Sequence, residues 1–412
     1  MKKETKEEVF SAVIANEKAA FIIDQQQFED NLHLMQASFL SYYPKVTIGY
    51  SYKTNYIPLI CKTAHKNGCW AEVVSEMEVE MALLNLEIKS NIIYNGPIKS
   101  PESIKKVIEA GGIINVDHML DLNHIEKIIA NSNGKIKTAK LALRVNFEYE
   151  GQVSRFGLEL DKLNEFIEII ESNPVLELLG YHIHLPFRTL KSYKFRVDSL
   201  IDVLRMHGNR PLKYINIGGG FFGRISPELA ESLNIYNIPD YKDYGQLIGL
   251  ELSEYFNKSE RKEWPELFIE PGSSVIADAL WFVSKLHTIK QINHKNILVT
   301  YAGRHLLTPT NKTIQFPIEL YLSSKSELEY ISDELFVAGY TCIESDIIGK
   351  IQSKSESKVE DFVAISNVGS YSIVMGSDFI LPQPAIYNFN QGELKIVRRT
   401  KTINTILSEF IN

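Results

Sequence analysis

A chain of 412 residues is too long for one small core and fits two domains, or one large barrel with an added module. Hydrophobic residues make up 44% and charged residues 23%, the balance of a soluble globular protein. A formal charge of −7 and a pI near 5.9 argue against nucleic acid or an anionic membrane surface as a partner.

In chain order, the opening "MKKETKEE" is mixed in charge with no apolar run behind it, unlike a secretory signal. "KAAFIIDQQQFEDNL" follows, and its apolar run is suited to pair with a sheet formed elsewhere in the chain. From about residue 30 to 280, strand-like runs alternate with amphipathic runs of helix length. "VTIGYSYK" leads into "IPLICKTAHKNG", "WAEVVS" into "EMEVEMALLNLE", and "SNIIYNG" into "SPESIKKVIEAGG". "IINVD" precedes "MLDLNHIEKIIANS", "KLALRVN" precedes "LDKLNEFIEIIESN", and "LLGYHIHL" precedes "LKSYKFRVDSLIDVLRMHG". "LKYINIGGG" and "ELFIEPG" complete a set of eight strands. Eight such units in about 250 residues predict an α/β fold with a closed (β/α)8 barrel rather than an open sheet.

After Gly272 the texture changes to β-rich, through "SSVIADALWFVSKLHTIK", "NILVTYAG", "IELYL", "DELFVAGYTC", "DFVAISNVGSYS", "AIYNFN" and "ELKIVRR". This predicts a C-terminal antiparallel β domain that also takes in the N-terminal strand. The expected domains are a segment 1–30 packing with the β domain, a barrel over 31–280 and the β domain over 281–412. No apolar stretch reaches the roughly 20 residues of a membrane helix. Cys61, Cys69 and Cys342 form neither a disulfide framework nor a metal-site spacing, so a reduced cytoplasm and no metal are expected.

Catalytic groups of such a barrel stand at the C-terminal ends of its strands. Lys53 ends the first strand, Ser75 the second, Asn95 the third and Asp117 the fourth. Arg144 and Asn146 end the fifth, His184 the sixth, Gly218, Gly219 and Gly220 the seventh, and Glu270 the eighth. Singly, each has a plainer reading: a surface lysine, a core histidine, a tight turn, a strand-end carboxylate. Together they meet the needs of pyridoxal phosphate. Its aldehyde requires an amine, which Lys53 offers where desolvation beside tyrosines favours the neutral form. Its phosphate requires bare backbone N–H groups, as in "NIGGGFFG", and its ring a flat partner such as His184. Its pyridine nitrogen requires an acid that keeps it protonated, so that the ring withdraws electrons from Cα.

"YSYKTN" is similar to the Tyr-Ala-Val-Lys-Ala-Asn of the group III pyridoxal phosphate decarboxylases, which include diaminopimelate, ornithine and arginine decarboxylases. The chain resembles that family over nearly its whole length, and the diaminopimelate branch most. The resemblance makes Lys53 the lysine that bonds the aldehyde, and in "EVVSEMEVEMAL" it matches Glu72 to an acid near the cofactor and Glu78 to a family glutamate. "LRVNFEYE" corresponds to the family's Arg-Val-Asn and places Arg144 among the cofactor groups. "GYHIHL" makes His184 the imidazole stacked on the ring, and "INIGGGFFG" the phosphate loop. "EPG" supplies Glu270 for the pyridine nitrogen with Gly272 beside it, and "GSYS" sets Tyr371 on the phosphate. "GYTCIESD" resembles Gly-Pro-x-Cys-(Glu/Asp)-x-x-Asp, which makes Cys342 the acid that reprotonates Cα. In the family this cysteine reaches the partner subunit's site, implying a homodimer with shared active sites.

The departures fall mainly on the distal substrate pocket. Ser273 follows Glu-Pro-Gly where the family has arginine, and Ile343 stands where it has an acid, with Glu344 one place later and Asp346 at the end of the motif. "HLPF" lacks a phosphate-binding serine, for which Arg188 is the candidate replacement. Thr308-Pro309 stands for an expected Arg-Pro, with Arg304 the candidate substitute. The expectation is therefore α-decarboxylation of a modified, conjugated or carrier-tethered amino acid, of the specialised-metabolite or siderophore type, rather than of free diaminopimelate. The alternatives are an amino-acid racemase or epimerase on the same fold, and a non-catalytic homologue that only binds the cofactor.

Overall fold

Eight short strands follow one another as Val46–Ser51, Trp70–Val73, Ile92–Tyr94, Ile113–Val116, Ala139–Val145, Leu176–Ile183, Tyr214–Asn216 and Glu266–Ile269. They pair in parallel in chain order, and the last returns to the first through Leu267↔Val46 and Ile269↔Ile48, which closes the barrel. Their residues are almost all buried, as covering on both faces demands, and Ile93, Ile113, Ala142, Leu179, Tyr214 and Phe268 pack together as one core cluster. The structure is a computed structural model that describes residues 1–411 except 87, 207, 209, 260, 262, 308–313, 323–333 and 353–356.

Local chemistry explains where the helices start. Ser100 accepts from the Ser103 N–H, Pro101 occupies the first helical position, and Gly111 at φ 78° ends the helix Pro101–Ala110. Asp240 and Asp243 cap each other's backbone at the head of Tyr241–Lys258, a helix for which the sequence reading made no provision. Pro58 opens Pro58–Lys66, in agreement with the expected helix after the first strand.

The chain divides into two compact units, and the barrel unit comprises residues 31–222 and 238–274. Residues 1–30, 223–237 and 275–412 make up the other. The stretches 223–237 and 275–280, expected inside the barrel, thus belong with the β unit. "SSVIADA" is also helical rather than β, as Ser273–Ile276 and the 3-10 turn Ala277–Ala279, before the strand Leu280–Ile292 begins.

In the β unit, nine strands among the described residues form one sheet. Leu280–Ile292 is its long central member. Its first half pairs with Ala19–Asp24 and Phe362–Ser366, and its second half, beyond a bulge between Leu286 and Thr288, pairs with Lys295–Thr300. Pairing is mostly antiparallel, with two parallel exceptions: Ala19–Asp24 beside Ala385–Asn390, and Lys295–Thr300 beside Leu335–Ala338. The expected N-terminal strand is therefore part of this sheet. The mixed-charge opening hides a helix, Lys3–Asn16, whose Val9, Phe10, Val13 and Ile14 are buried against Ala20, Ile22, Trp281 and Val283.

Candidate active site

The first barrel strand stops at Ser51, and Lys53 stands in the following 3-10 turn, Tyr52–Thr54. The Tyr50 hydroxyl donates to Asn55 O at 2.9 Å and Asn55 N–H to Tyr52 O at 3.0 Å, which ties the turn down. Lys53 Nζ donates to both oxygens of Glu72, at 2.8 and 3.1 Å. This corrects the expected surroundings. The amine meets a fully buried carboxylate rather than only tyrosine rings, because the second strand runs parallel to the first and sets Glu72 opposite Ser51. Ser51 Oγ also donates to Glu72.

A chain of amides links this carboxylate to a second one. Asn95 Nδ2 donates to Glu72 Oε1 at 2.9 Å and to Glu270 Oε1 at 2.8 Å. Asn216 Nδ2 donates to the same Glu270 oxygen at 2.7 Å and to the Tyr214 hydroxyl at 2.5 Å. Asn115 bonds Asn95 Oδ1 at 2.6 Å and Tyr214 at 3.2 Å. His182 Nε2 approaches Glu270 Oε2 to 3.4 Å. Burial alone would raise the Glu270 carboxyl, but the neighbouring His182, followed by Lys53 and His184, outweighs it and holds the group well below the usual carboxylate range. Glu270 therefore stays ionised.

His184 takes the opposite course. Desolvation, followed by the cations Arg196, Arg144 and Lys53, holds its imidazole well below the usual value. Its Nδ1 accepts from Gly219 N–H at 3.1 Å, which assigns the proton of this neutral ring to Nε2. The glycines permit that approach. A Cβ at Gly218, where φ is 72°, would lie 2.7 Å from His184 Nδ1, and one at Gly219 would lie 2.2 Å from Glu270 O. Gly272 likewise lets its backbone meet Thr54, 2.3 Å from where a Cβ would stand. Gly220 N–H donates to no acceptor among the described residues. Arg144 pairs with Asp117 at 3.3 Å and lies over the Phe156 ring.

The barrel unit thus brings together Lys53, Glu72, Arg144, His184, Gly218, Gly219, Gly220, Glu270 and Gly272. These residues fit pyridoxal phosphate: an amine for the aldehyde, an ionised acid for a protonated ring nitrogen, a flat neutral ring and an unengaged backbone donor in a glycine loop. Arg188 is exposed, its guanidinium over Phe222, and Ser273 opens the helix Ser273–Ile276.

Arg304, Cys342, Glu344, Asp346 and Tyr371 lie in the β unit. Cys342 and Glu344 are exposed in the turn between Leu335–Ala338 and Ile347–Ile351. Asp346 is buried and organises that turn, accepting from Arg304 N–H at 2.9 Å and from Thr341 N–H at 3.1 Å. The Arg304 guanidinium donates to the carbonyls of Ile347 and Ile314, each at 3.0 Å. Tyr371 precedes the helix Ser372–Met375 with φ 64°, a left-handed conformation that a non-glycine residue adopts only under constraint. Thr308 and Pro309 lie outside the described residues.

The sequence reading assigned no role to His182, Asn115, Tyr214 or Asn216, and gave Asn95 only its strand end. Strand periodicity carried the signal: His182 and His184, like Tyr214 and Asn216, are two apart and share a face.

Residues 26–277 match the family described as "Pyridoxal-dependent decarboxylase, pyridoxal binding domain". The diaminopimelate decarboxylase of Methanothermobacter thermautotrophicus is 24% identical over 406 residues, covering 94% of this chain and 90% of that protein. The crystal structure of diaminopimelate decarboxylase from M. jannaschii superposes with a TM-score of 0.82 at 22% identity, covering 95% of this chain and 92% of the other. The arginine decarboxylase of Paramecium bursaria Chlorella virus shares the fold at a TM-score of 0.74 and 16% identity, over 93% of this chain and all of the other.

Proposed function

The chain belongs to the pyridoxal-dependent decarboxylases, and on that premise we propose that Lys53, Glu270 and Cys342 carry an α-decarboxylation whose substrate differs at its far end from diaminopimelate. It is a pyridoxal phosphate-dependent carboxy-lyase. Pyridoxal phosphate supplies an electron-withdrawing ring that accepts the electrons of the broken Cα–carboxylate bond. Lys53 would provide the amine that holds the cofactor, and Glu72 orients that amine. Glu270, held well below the usual carboxylate range, would be the acid that keeps the ring nitrogen protonated. His184, a neutral flat ring, would be the stacking partner of the cofactor ring. Cys342 delivers the proton that replaces the carboxylate at Cα. In this reading it does so in the partner subunit of a homodimer, to which the exposure of its turn lends support.

The observation that carries the mechanism is the pairing of an amine on one buried carboxylate, Glu72, with a second ionised carboxylate, Glu270, through the single amide of Asn95. No racemase reading is favoured, because Cys342 sits in a decarboxylase-like segment. Among the described residues no helix is long and apolar enough to cross a membrane, and the three free thiols support a reducing, cytoplasmic location.

Two observations pull apart on the substrate. Ser273 and Ile343 remove charges that a distal carboxylate and ammonium need, which favours a modified or carrier-tethered amino acid. The relatives are named diaminopimelate decarboxylases and give a modified substrate no support, so free diaminopimelate is the reference substrate. The test is carbon dioxide release by the cofactor-loaded enzyme from free diaminopimelate and from derivatives capped at the distal amine or carboxylate. Faster turnover of a capped derivative supports the altered far end; ordinary rates on free diaminopimelate alone remove it.

A further inference from the structure

Arg196, on the helix Leu190–Met206, is fully buried, and its guanidinium donates to four backbone carbonyls. Nη1 donates to Ile217 O at 3.2 Å and to Gly219 O at 2.8 Å. Nη2 donates to Leu185 O at 2.5 Å and to Phe187 O at 2.6 Å. The guanidinium thereby clamps the loop after the sixth strand to the glycine loop after the seventh. Tyr193, whose ring lies 4.1 Å beneath it, adds a hydroxyl bond to Gly219 O at 2.8 Å. No aspartate or glutamate ion-pairs with Arg196 among the described residues, and burying a cation without a counter-charge is costly. A trans peptide points its N–H opposite its C=O, so fixing Gly219 O toward Arg196 turns Gly220 N–H the other way, where it meets no protein acceptor.

We propose that Arg196 is the positioning residue for the cofactor's phosphate, aiming Gly220 N–H at the anion and supplying the fixed positive charge that balances it. This rests on the pyridoxal phosphate reading. It also accounts for "HLPF", where the serine is missing: Leu185 and Phe187 face their carbonyls to Arg196, and the charge replaces the absent hydroxyl. Arg188, the replacement expected from sequence, is exposed and sits over Phe222 instead.

Pyridoxal, which lacks the phosphate, separates this role from a merely structural one. Affinities for pyridoxal phosphate and pyridoxal are measured by absorbance titration of wild type, Arg196→Met and Arg196→Lys, with melting temperatures alongside. Arg196→Met is expected to weaken pyridoxal phosphate about tenfold or more and leave pyridoxal within about twofold, with Arg196→Lys recovering part of the loss. Unchanged pyridoxal phosphate affinity, or equal loss for both ligands, overturns the proposal. If Arg196→Met does not fold, Tyr193→Phe carries the test, and an unaltered affinity ratio in that variant overturns it equally. Wild-type protein that binds neither ligand would overturn the cofactor reading and this inference with it.

Discussion

Glu78 accepts from Val74 N–H at 2.8 Å, yet burial, the larger influence, lifts its carboxyl from 4.5 to about 7. Below pH 4.5 both folded and unfolded chains carry the proton and nothing is lost. Between 4.5 and 7 the unfolded chain gives it up first, so stability falls with rising pH, by roughly 3 kcal/mol in all. Glu78→Gln mimics the protonated form. Its melting temperature should therefore gain on wild type from about pH 5 and level off above about pH 7; a gap independent of pH would deny the shift. For Glu270→Gln the account expects kcat to drop about a hundredfold or more while the cofactor still binds, because only the charge opposite the ring nitrogen is lost. Cofactor loss in that variant would make Glu270 a scaffold instead. Lys53, His184 and Glu270 were legible because a barrel displays its chemistry at strand ends. Asn115, Tyr214 and Asn216 were not, since one polar residue inside an apolar run looks like noise until its partners across the barrel are known.

The glycine loop is an element whose sequence is dictated by approach rather than flexibility. Gly219→Ala would push a methyl onto Glu270 O, so we expect about 1–3 kcal/mol of destabilisation and reduced cofactor uptake, read by thermal melts and by absorbance. Undisturbed melting would mean that the loop can retreat. Removing the Ser100 cap by Ser100→Ala should cost about 1 kcal/mol without touching the cofactor, a control at a helix far from the chemistry in sequence. The eight strands could be read in order because each is short, apolar and bounded by polar turns. The helix Tyr241–Lys258 went unread although its reciprocal Asp240 and Asp243 caps are a sequence-level signal. "SSVIADA" misled through its Val and Ile, whose β preference yields to the packing of Val275 and Ile276, both fully buried.

At the scale of the molecule, the division into barrel and β unit followed from texture alone, but the return of 223–237 to the β unit had no local marker. The subunit-sharing proposal makes a molecular prediction. Lys53→Ala and Cys342→Ala, each inactive alone, should regain about a quarter of wild-type activity when mixed and allowed to exchange, because half the dimers then hold one intact site. Failure to regain any activity, with subunit exchange demonstrated, would place both residues in one subunit's site or remove Cys342 from catalysis. The central claim is that Lys53 carries the cofactor, and near-ultraviolet and visible absorbance of wild type and Lys53→Ala with pyridoxal phosphate, before and after borohydride, tests it most directly. The account predicts a band that borohydride abolishes in wild type alone, leaving a reduced pyridoxyl group on the Lys53 peptide. The same band in both proteins, or none in either, would contradict it.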